Sequence, residues 1–206
     1  MRVVTAGGHG QIALLFQRLL AERGDQAVGI VRNPDHTDDL RAIGAEPVLL
    51  DLERSDVDAV ANVLAGADAA VFAAGAGPGS GAARKDTVDR AAAVRFAAAA
   101  EQAGVRRHIQ ISAMGLDRAG ESEMDDVFRA YLVAKDAAER DLRTRDLDWT
   151  ILRPGRLTDE PATGRVRLAA SVPYGLVSRA DVAATVVALL DDPSTVRQTL
   201  ELVSAD

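Results

Sequence analysis

The chain contains no cysteine, which excludes disulfide bonds, thiolate nucleophiles and cysteine-ligated zinc. Aromatic residues are scarce, with four Phe, two Tyr and one Trp in 206 residues, so the core must be assembled from aliphatic side chains and alanine. The three histidines, His9, His36 and His108, show no metal-ligand spacing, and no metal is expected. Positive charge is in deficit: 24 Lys and Arg stand against 31 Asp and Glu, a formal net charge of -7. That balance argues against nucleic acid or an anionic membrane as a general partner, because both call for a basic surface. No apolar run approaches the roughly 20 residues that span a bilayer, and the chain enters a strand without a charged leader. The cytoplasm is the expected setting.

What is present is an alternation. A hydrophobic content of 48% supports one substantial core, and a single domain over 1–206 is expected. Short β-branched runs near 2–5, 27–31, 47–50, 69–72, 108–111 and 149–152 alternate with helical patterns near 11–23, 37–43, 55–64, 83–103 and 125–145. A late helix over 179–190 and a terminal strand over 199–203 complete the chain. This rhythm predicts an α/β chain with a three-layer, doubly wound arrangement and a mainly parallel sheet. Gly24, Gly44, Gly66 and Gly104 each follow a helical segment, where a left-handed cap is favoured.

The first strand runs into Gly7-Gly8-His9-Gly10-Gln11-Ile12-Ala13, a glycine-rich turn opening a helix. Gly7 can take the tight turn, Gly10 lets backbone approach a phosphate, and small Ala13 lets the helix pack on the strand. N–H groups at the helix start then face the anion, so a dinucleotide pyrophosphate is expected there. The end of the second strand meets the adenosine ribose. NAD-selective chains place Asp or Glu about 20 residues after the glycines; this chain has Arg32, whose planar fork of donors suits a 2′-phosphate. NADP(H) is therefore favoured over NAD(H). Asp51 and Leu52 after the third strand suit an adenine amino group and an apolar edge, although Asp51 could equally cap a helix. Ala73-Ala74-Gly75 opens a small-residue loop that runs on through Pro78 to Gly81. Cofactor contact is expected over Ala73 to Gly75 and flexibility beyond. Lys85 and Asp89 follow at the start of the next helix, where either could reach the cleft, although such residues are more often surface charges.

The strongest chemical constellation is Ser112 at the end of the fifth strand with Tyr131 and Lys135 on the next helix, where positions i and i+4 share a face. An ammonium beside a phenol would lower its pKa from about 10 and make Tyr131 a better proton relay. Ser112 would hold a carbonyl while hydride arrives and Tyr131 supplies the proton; Lys135 would also bind the nicotinamide ribose.

These residues resemble the atypical short-chain dehydrogenases/reductases, and among them the single-domain NAD(P)H-binding Rossmann proteins of the NmrA-like and biliverdin reductase B-like group. The likeness covers nearly the whole chain. It rests on the glycine turn, Val31-Arg32-Asn33-Pro34, Asp51-Leu52, Ala73-Ala74-Gly75, Gly104-Val105-Arg106-Arg107 leading to Ser112, and Thr150-Ile151-Leu152-Arg153-Pro154-Gly155. It implies that Pro154 and Gly155 flank the nicotinamide. Ala13 departs from the group's third glycine. The group often keeps the lysine while lacking the tyrosine.

The tail after Pro154 is too short for the large substrate domain of extended sugar-nucleotide epimerases. A small lid within 155–206 is expected, including Arg165-Val166-Arg167 and Pro173-Tyr174-Gly175, over an open cleft suited to a small or flat acceptor. The expected activity is NADP(H)-dependent reduction of a small carbonyl, quinone or flavin, by a monomer or homodimer. The alternative is a non-catalytic NADP(H)-sensing regulator.

Overall fold

The computed structural model describes residues 1–77 and 79–205; Pro78, placed by the sequence in the loop after the fourth strand, lies outside the described residues. Strands β1 (Arg2–Ala6), β2 (Gln26–Val31), β3 (Glu46–Leu49), β4 (Ala69–Phe72), β5 (Arg107–Ile111) and β6 (Asp148–Pro154) form a parallel sheet. The sheet continues through β10 (Gln198–Ser204), parallel to β6, and ends in β8 (Val166–Ala169), antiparallel to β10. The order β3-β2-β1-β4-β5-β6-β10-β8 reverses direction between β1 and β4. In open α/β sheets that reversal opens a crevice at the strands' carboxyl ends.

Both faces of the sheet are covered, which is why β4 reads as an unbroken apolar run and why β1 is buried from Val3 to Ala6. Phe16 and Leu20 of α1 (Gln11–Glu22), Leu40 of α2 (Thr37–Ala42) and Val182, Val186 and Leu189 of α7 (Arg179–Leu190) close one side. Val60 and Leu64 of α3 (Val57–Leu64), Phe96, Ala97 and Ala100 of α5 (Ala93–Gln102), and Ala138 and Leu142 of α6 (Asp126–Thr144) close the other. Each fully buried Phe or Leu contributes about 1.5–3 kcal/mol. The alanine-rich face of α5 lets that helix lie close to the sheet. No helix among the described residues is long and apolar enough to cross a membrane.

The structure departs from the expected elements in two places. The helix expected over 83–103 is three pieces: a short turn α4 (Ala82–Arg84), a π-helical stretch Lys85–Ala92, and α5. The wider coil turns Lys85, Val88, Asp89 and Ala92 inward against α6, so Lys85 and Asp89 are buried rather than surface charges. Periodicity cannot distinguish an i→i+5 coil from an α-helix over two turns. The tail also holds three strands that the sequence did not announce. Val166–Ala169, which overlaps the basic segment Arg165-Val166-Arg167 expected in the lid, is the sheet-edge strand β8. Arg156–Thr158 (β7) and Leu176–Ser178 (β9) pair as a small parallel sheet. Unlike the four-residue apolar run of β4, these short segments mix polar with apolar residues and hold few buried positions, so no buried run marks them.

Candidate active site

The chain leaves β1 into Gly7, whose φ of +77° favours a residue without a side chain. A Cβ on Gly7 would also stand 2.6 Å from the Cα of Ala74. Gly8 packs the other way, where a Cβ would be 2.7 Å from the Cα of Gly29. Its N–H donates to the Ile30 carbonyl at 2.9 Å, and its carbonyl accepts from Gln17 Nε2 at 2.7 Å. Gln17, fully buried on α1, supports the turn; a polar residue on an inward helical position gave no readable signal.

Helix α1 begins after Gly10 with no side-chain cap and no acidic residue in its first turn. By contrast, Asp56, Asp125 and Ser178 cap α3, α6 and α7. The first N–H groups of α1, including those of Gln11 and Ile12, together with the positive end of the helix dipole, are therefore available to an anion. Glycines that a methyl group would displace and an uncapped helix start together fit the diphosphate of a dinucleotide.

This turn and the ends of β2, β3 and β4 border a cleft of about 280 Å³. Gly7, His9, Gly10, Arg32, Asp51, Leu52, Ala73, Ala74 and Gly75 line it, whereas Gly8, Gln11 and Ile12 do not. Asp51 makes an Asx turn, its Oδ1 accepting from the Glu53 N–H at 2.9 Å. His36, Glu53 and Arg84 also line the cleft, and the sequence reading passed over all three. The ring of His9 stacks on that of His36 at 3.6 Å, and its Nε2 lies 2.7 Å from Asp39 Oδ2. Glu53 takes hydrogen bonds from Arg32 Nη1 at 2.9 Å, Arg84 Nη2 at 2.8 Å and Thr87 Oγ1 at 2.7 Å. The Thr87 hydroxyl, with the two guanidiniums, holds its carboxyl below the usual range despite partial burial.

Ser112, Tyr131, Lys135 and Pro154 lie outside this lining. Asp89 joins the cleft to Lys135: its Oδ2 accepts from the N–H of Ala76, on the cleft wall, at 3.2 Å, and its Oδ1 lies 3.5 Å from Lys135 Nζ. Lys135 Nζ also donates to the Ile111 carbonyl at 3.2 Å and stands 5.8 Å from the centre of the Tyr131 ring. Burial lowers the Lys135 pKa, and Asp89 opposes that shift. The phenol behaves contrary to expectation. Burial, and then the Asp89 carboxylate, push the Tyr131 pKa up, so Tyr131 stays protonated well above neutrality.

Ser112 has a different partner from the one expected. Its hydroxyl donates to Glu139 Oε1 at 2.5 Å, and Glu139, fully buried, also takes Arg153 Nη2 at 2.6 Å and Arg143 Nη2 at 2.7 Å. The serine proton is thus committed to a carboxylate held by two arginines, leaving lone pairs for any ligand. Pro154 ends β6, and its carbonyl accepts from the Met114 N–H at 3.0 Å.

One compositional signal marks this region. The chain has only two lysines, Lys85 and Lys135, and both flank Tyr131: Lys85 Nζ lies 5.4 Å from the ring centre and donates to the Gly77 carbonyl at 2.9 Å. Every other basic side chain besides histidine is arginine.

Comparison with known proteins agrees with this geometry. The chain is 36% identical to an uncharacterised sugar epimerase, YhfK, of Bacillus subtilis, over all of this chain and 95% of that protein. A solved putative NAD-dependent epimerase/dehydratase from Bacillus halodurans superposes with a TM-score of 0.91 at 34% identity, covering 100% of this chain and 95% of that one. An anaerobillin reductase from Escherichia coli O157:H7 gives 0.82 at 26%, covering 100% and 98%. Since relatives bearing an epimerase name are as short as this chain, tail length does not separate the two classes. The family model described as NAD(P)H-binding matches residues 7–193, the glycine turn, the cleft and the Tyr131–Lys135 helix all included, and the chain belongs to that family.

Proposed function

We propose that the protein is an NADP(H)-dependent oxidoreductase of the atypical short-chain dehydrogenase type, reducing a small carbonyl, quinone or flavin acceptor. The observation that carries this reading is the continuity of cleft and proton-handling groups: Ala76 to Asp89, Asp89 to Lys135, and Lys135 against Tyr131. A bound reduced nicotinamide supplies the hydride. Gly7, Gly10 and the start of α1 hold the diphosphate, Arg32 the 2′-phosphate, and Asp51 and Leu52 the adenine edge. Lys135, with one N–H given to Ile111 and Asp89 beside it, offers a donor to the ribose. Tyr131, kept protonated by burial, gives its proton to the acceptor oxygen, and the two neighbouring ammonium groups stabilise the phenolate left behind. To hold a carbonyl, Ser112 must exchange its bond to Glu139 for one to the substrate, so protonation rests on Tyr131. Pro154 and the loops around β7 and β9 wall the substrate side.

Phe128, on the same helix face, favours a flat acceptor. The residue is 46% exposed and its ring stacks on that of Tyr131 with centroids 5.9 Å apart, leaving an aromatic surface beside the proton donor. The length of the E. coli anaerobillin reductase, nearly equal to that of this chain, is compatible with such a shallow site.

The test is a paired experiment: titrate the protein with NADPH and NADH, following nicotinamide fluorescence, then assay turnover with a carbonyl, a quinone and free flavin for wild type and Tyr131→Phe. The expected result is NADPH preference of at least about tenfold, about 1.4 kcal/mol. Carbonyl turnover should fall about 10²-fold or more in the variant while NADPH binding is retained. Flavin turnover that survives the substitution assigns the proton to solvent. Tight NADPH binding with no turnover on any acceptor overturns the reductase reading in favour of an NADP(H) sensor.

A further inference from the structure

The adenosine end of the cleft holds a charged group that the assignment of Arg32 alone does not explain. Glu53 is fixed by three donors, with Thr87 on Oε1 and both Arg32 and Arg84 on Oε2. Arg32 comes from the end of β2, Glu53 from the segment after β3, and Arg84 and Thr87 from the turn and π-helical stretch after β4. Three parts of the chain thus meet round one carboxylate on the cleft wall. Its donors keep it ionised at neutral pH. Arg32 and Arg84 remain 54% and 40% exposed in their side chains, so each has further N–H donors beyond the one given to Glu53.

A phosphate monoester and a carboxylate compete for the same guanidinium faces. A 2′-phosphate brought to Arg32 therefore meets a resident anion that already bridges Arg32 to Arg84. Glu53 has two opposed effects: it pre-aligns the two arginines, and its charge repels the incoming dianion. Two guanidiniums against one carboxylate leave a single excess positive charge, which admits a phosphate without strongly demanding one.

Building on the proposed NADP(H) reading, we infer that Arg84 is a second 2′-phosphate ligand and that Glu53 sets the discrimination between NADP(H) and NAD(H). Removing the Glu53 charge raises affinity for the phosphorylated cofactor. Affinity for the unphosphorylated one stays level or falls, because the carboxylate is also an acceptor for ribose hydroxyls.

The experiment is a parallel titration of wild type, Glu53→Gln, Arg84→Gln and Arg32→Gln with NADPH and NADH at low and high salt, with far-UV circular dichroism as a check of folding. Glu53→Gln is expected to raise the NADPH-over-NADH ratio about tenfold at low salt, an effect that shrinks as salt screens the charges. Arg84→Gln is expected to lower NADPH affinity about tenfold and to leave NADH within about twofold. If Arg32→Gln abolishes the preference while both other variants leave the ratio unchanged, the inference is overturned and the cofactor reading stands. If Arg32→Gln leaves the ratio unchanged as well, the 2′-phosphate site at Arg32 fails and the inference falls with it.

Discussion

Asp89 Oδ1 lies 3.5 Å from Lys135 Nζ, with the two side chains 1% and 6% exposed. Each residue makes the other's burial tolerable, since an unpaired charge in that position would bear a desolvation cost of several kcal/mol. The pair also ties the π-helical stretch to α6, and with it the cleft wall at Ala76 to the helix carrying Tyr131.

Asp89→Asn is expected to destabilise the fold by about 3 kcal/mol at neutral pH, because it leaves the Lys135 ammonium buried without its counter-charge. The sign with pH follows from burial, which already lowers the Lys135 pKa. Raising the pH through the folded value removes that charge and narrows the deficit. Urea denaturation of wild type and variant at pH 7 and pH 9.5 checks this; an equal deficit at both would show that Lys135 is not the group responsible.

His108 is fully buried against Phe96, 5.8 Å between ring centres, with neither ring nitrogen hydrogen-bonded. Burial, helped by the charges of Arg145 and Arg107, lowers its pKa to about 3, against about 6.5 in an unfolded chain. Between those values the unfolded chain binds the proton and the folded one does not. Its contribution is therefore intact above about pH 6.5 and is lost at about 1.4 kcal/mol per pH unit as the pH falls towards 3. His108→Leu should flatten the acid limb of the stability profile over that range. A parallel profile for the variant would reject the assignment.

Gly10→Ala separates folding from cofactor binding. A Cβ there would meet the Gly7 carbonyl oxygen at 3.3 Å and otherwise face the cleft, a contact the turn can relieve by a small shift. The melting temperature should move by only a few degrees while NADPH affinity falls at least tenfold. Gly7→Ala, with φ +77° and a 2.6 Å clash with Ala74, should lose both. Unchanged NADPH binding by Gly10→Ala would place the diphosphate elsewhere.

The long helices were legible because their periodicity is long, and the central strands because most of them are short apolar runs between helical segments. The buried stretches of β1, β4 and β6 stand out as runs, and the amphipathic pattern of α6 repeats over 19 residues. The short strands β7, β8 and β9 were not legible, since they mix polar with apolar residues and form no buried run, and eight residues of π-helical coil do not separate its period from that of an α-helix. The glycine turn was readable as a motif because its residue types answer to backbone geometry, which is local.

By itself, the sequence determined the α/β class, the glycine turn at Gly7 to Gly10, the arginine at the end of β2 and the Tyr131–Lys135 spacing, all of them properties of residues near one another along the chain. Only the tertiary structure decided that Asp89 turns inward to Lys135, that Ser112 gives its proton to Glu139 and that Glu53 stands between Arg32 and Arg84. Those outcomes depend on which distant charges burial brings together. A charged side chain reads identically whether it ends in water or, once desolvated, must find its partner across the fold.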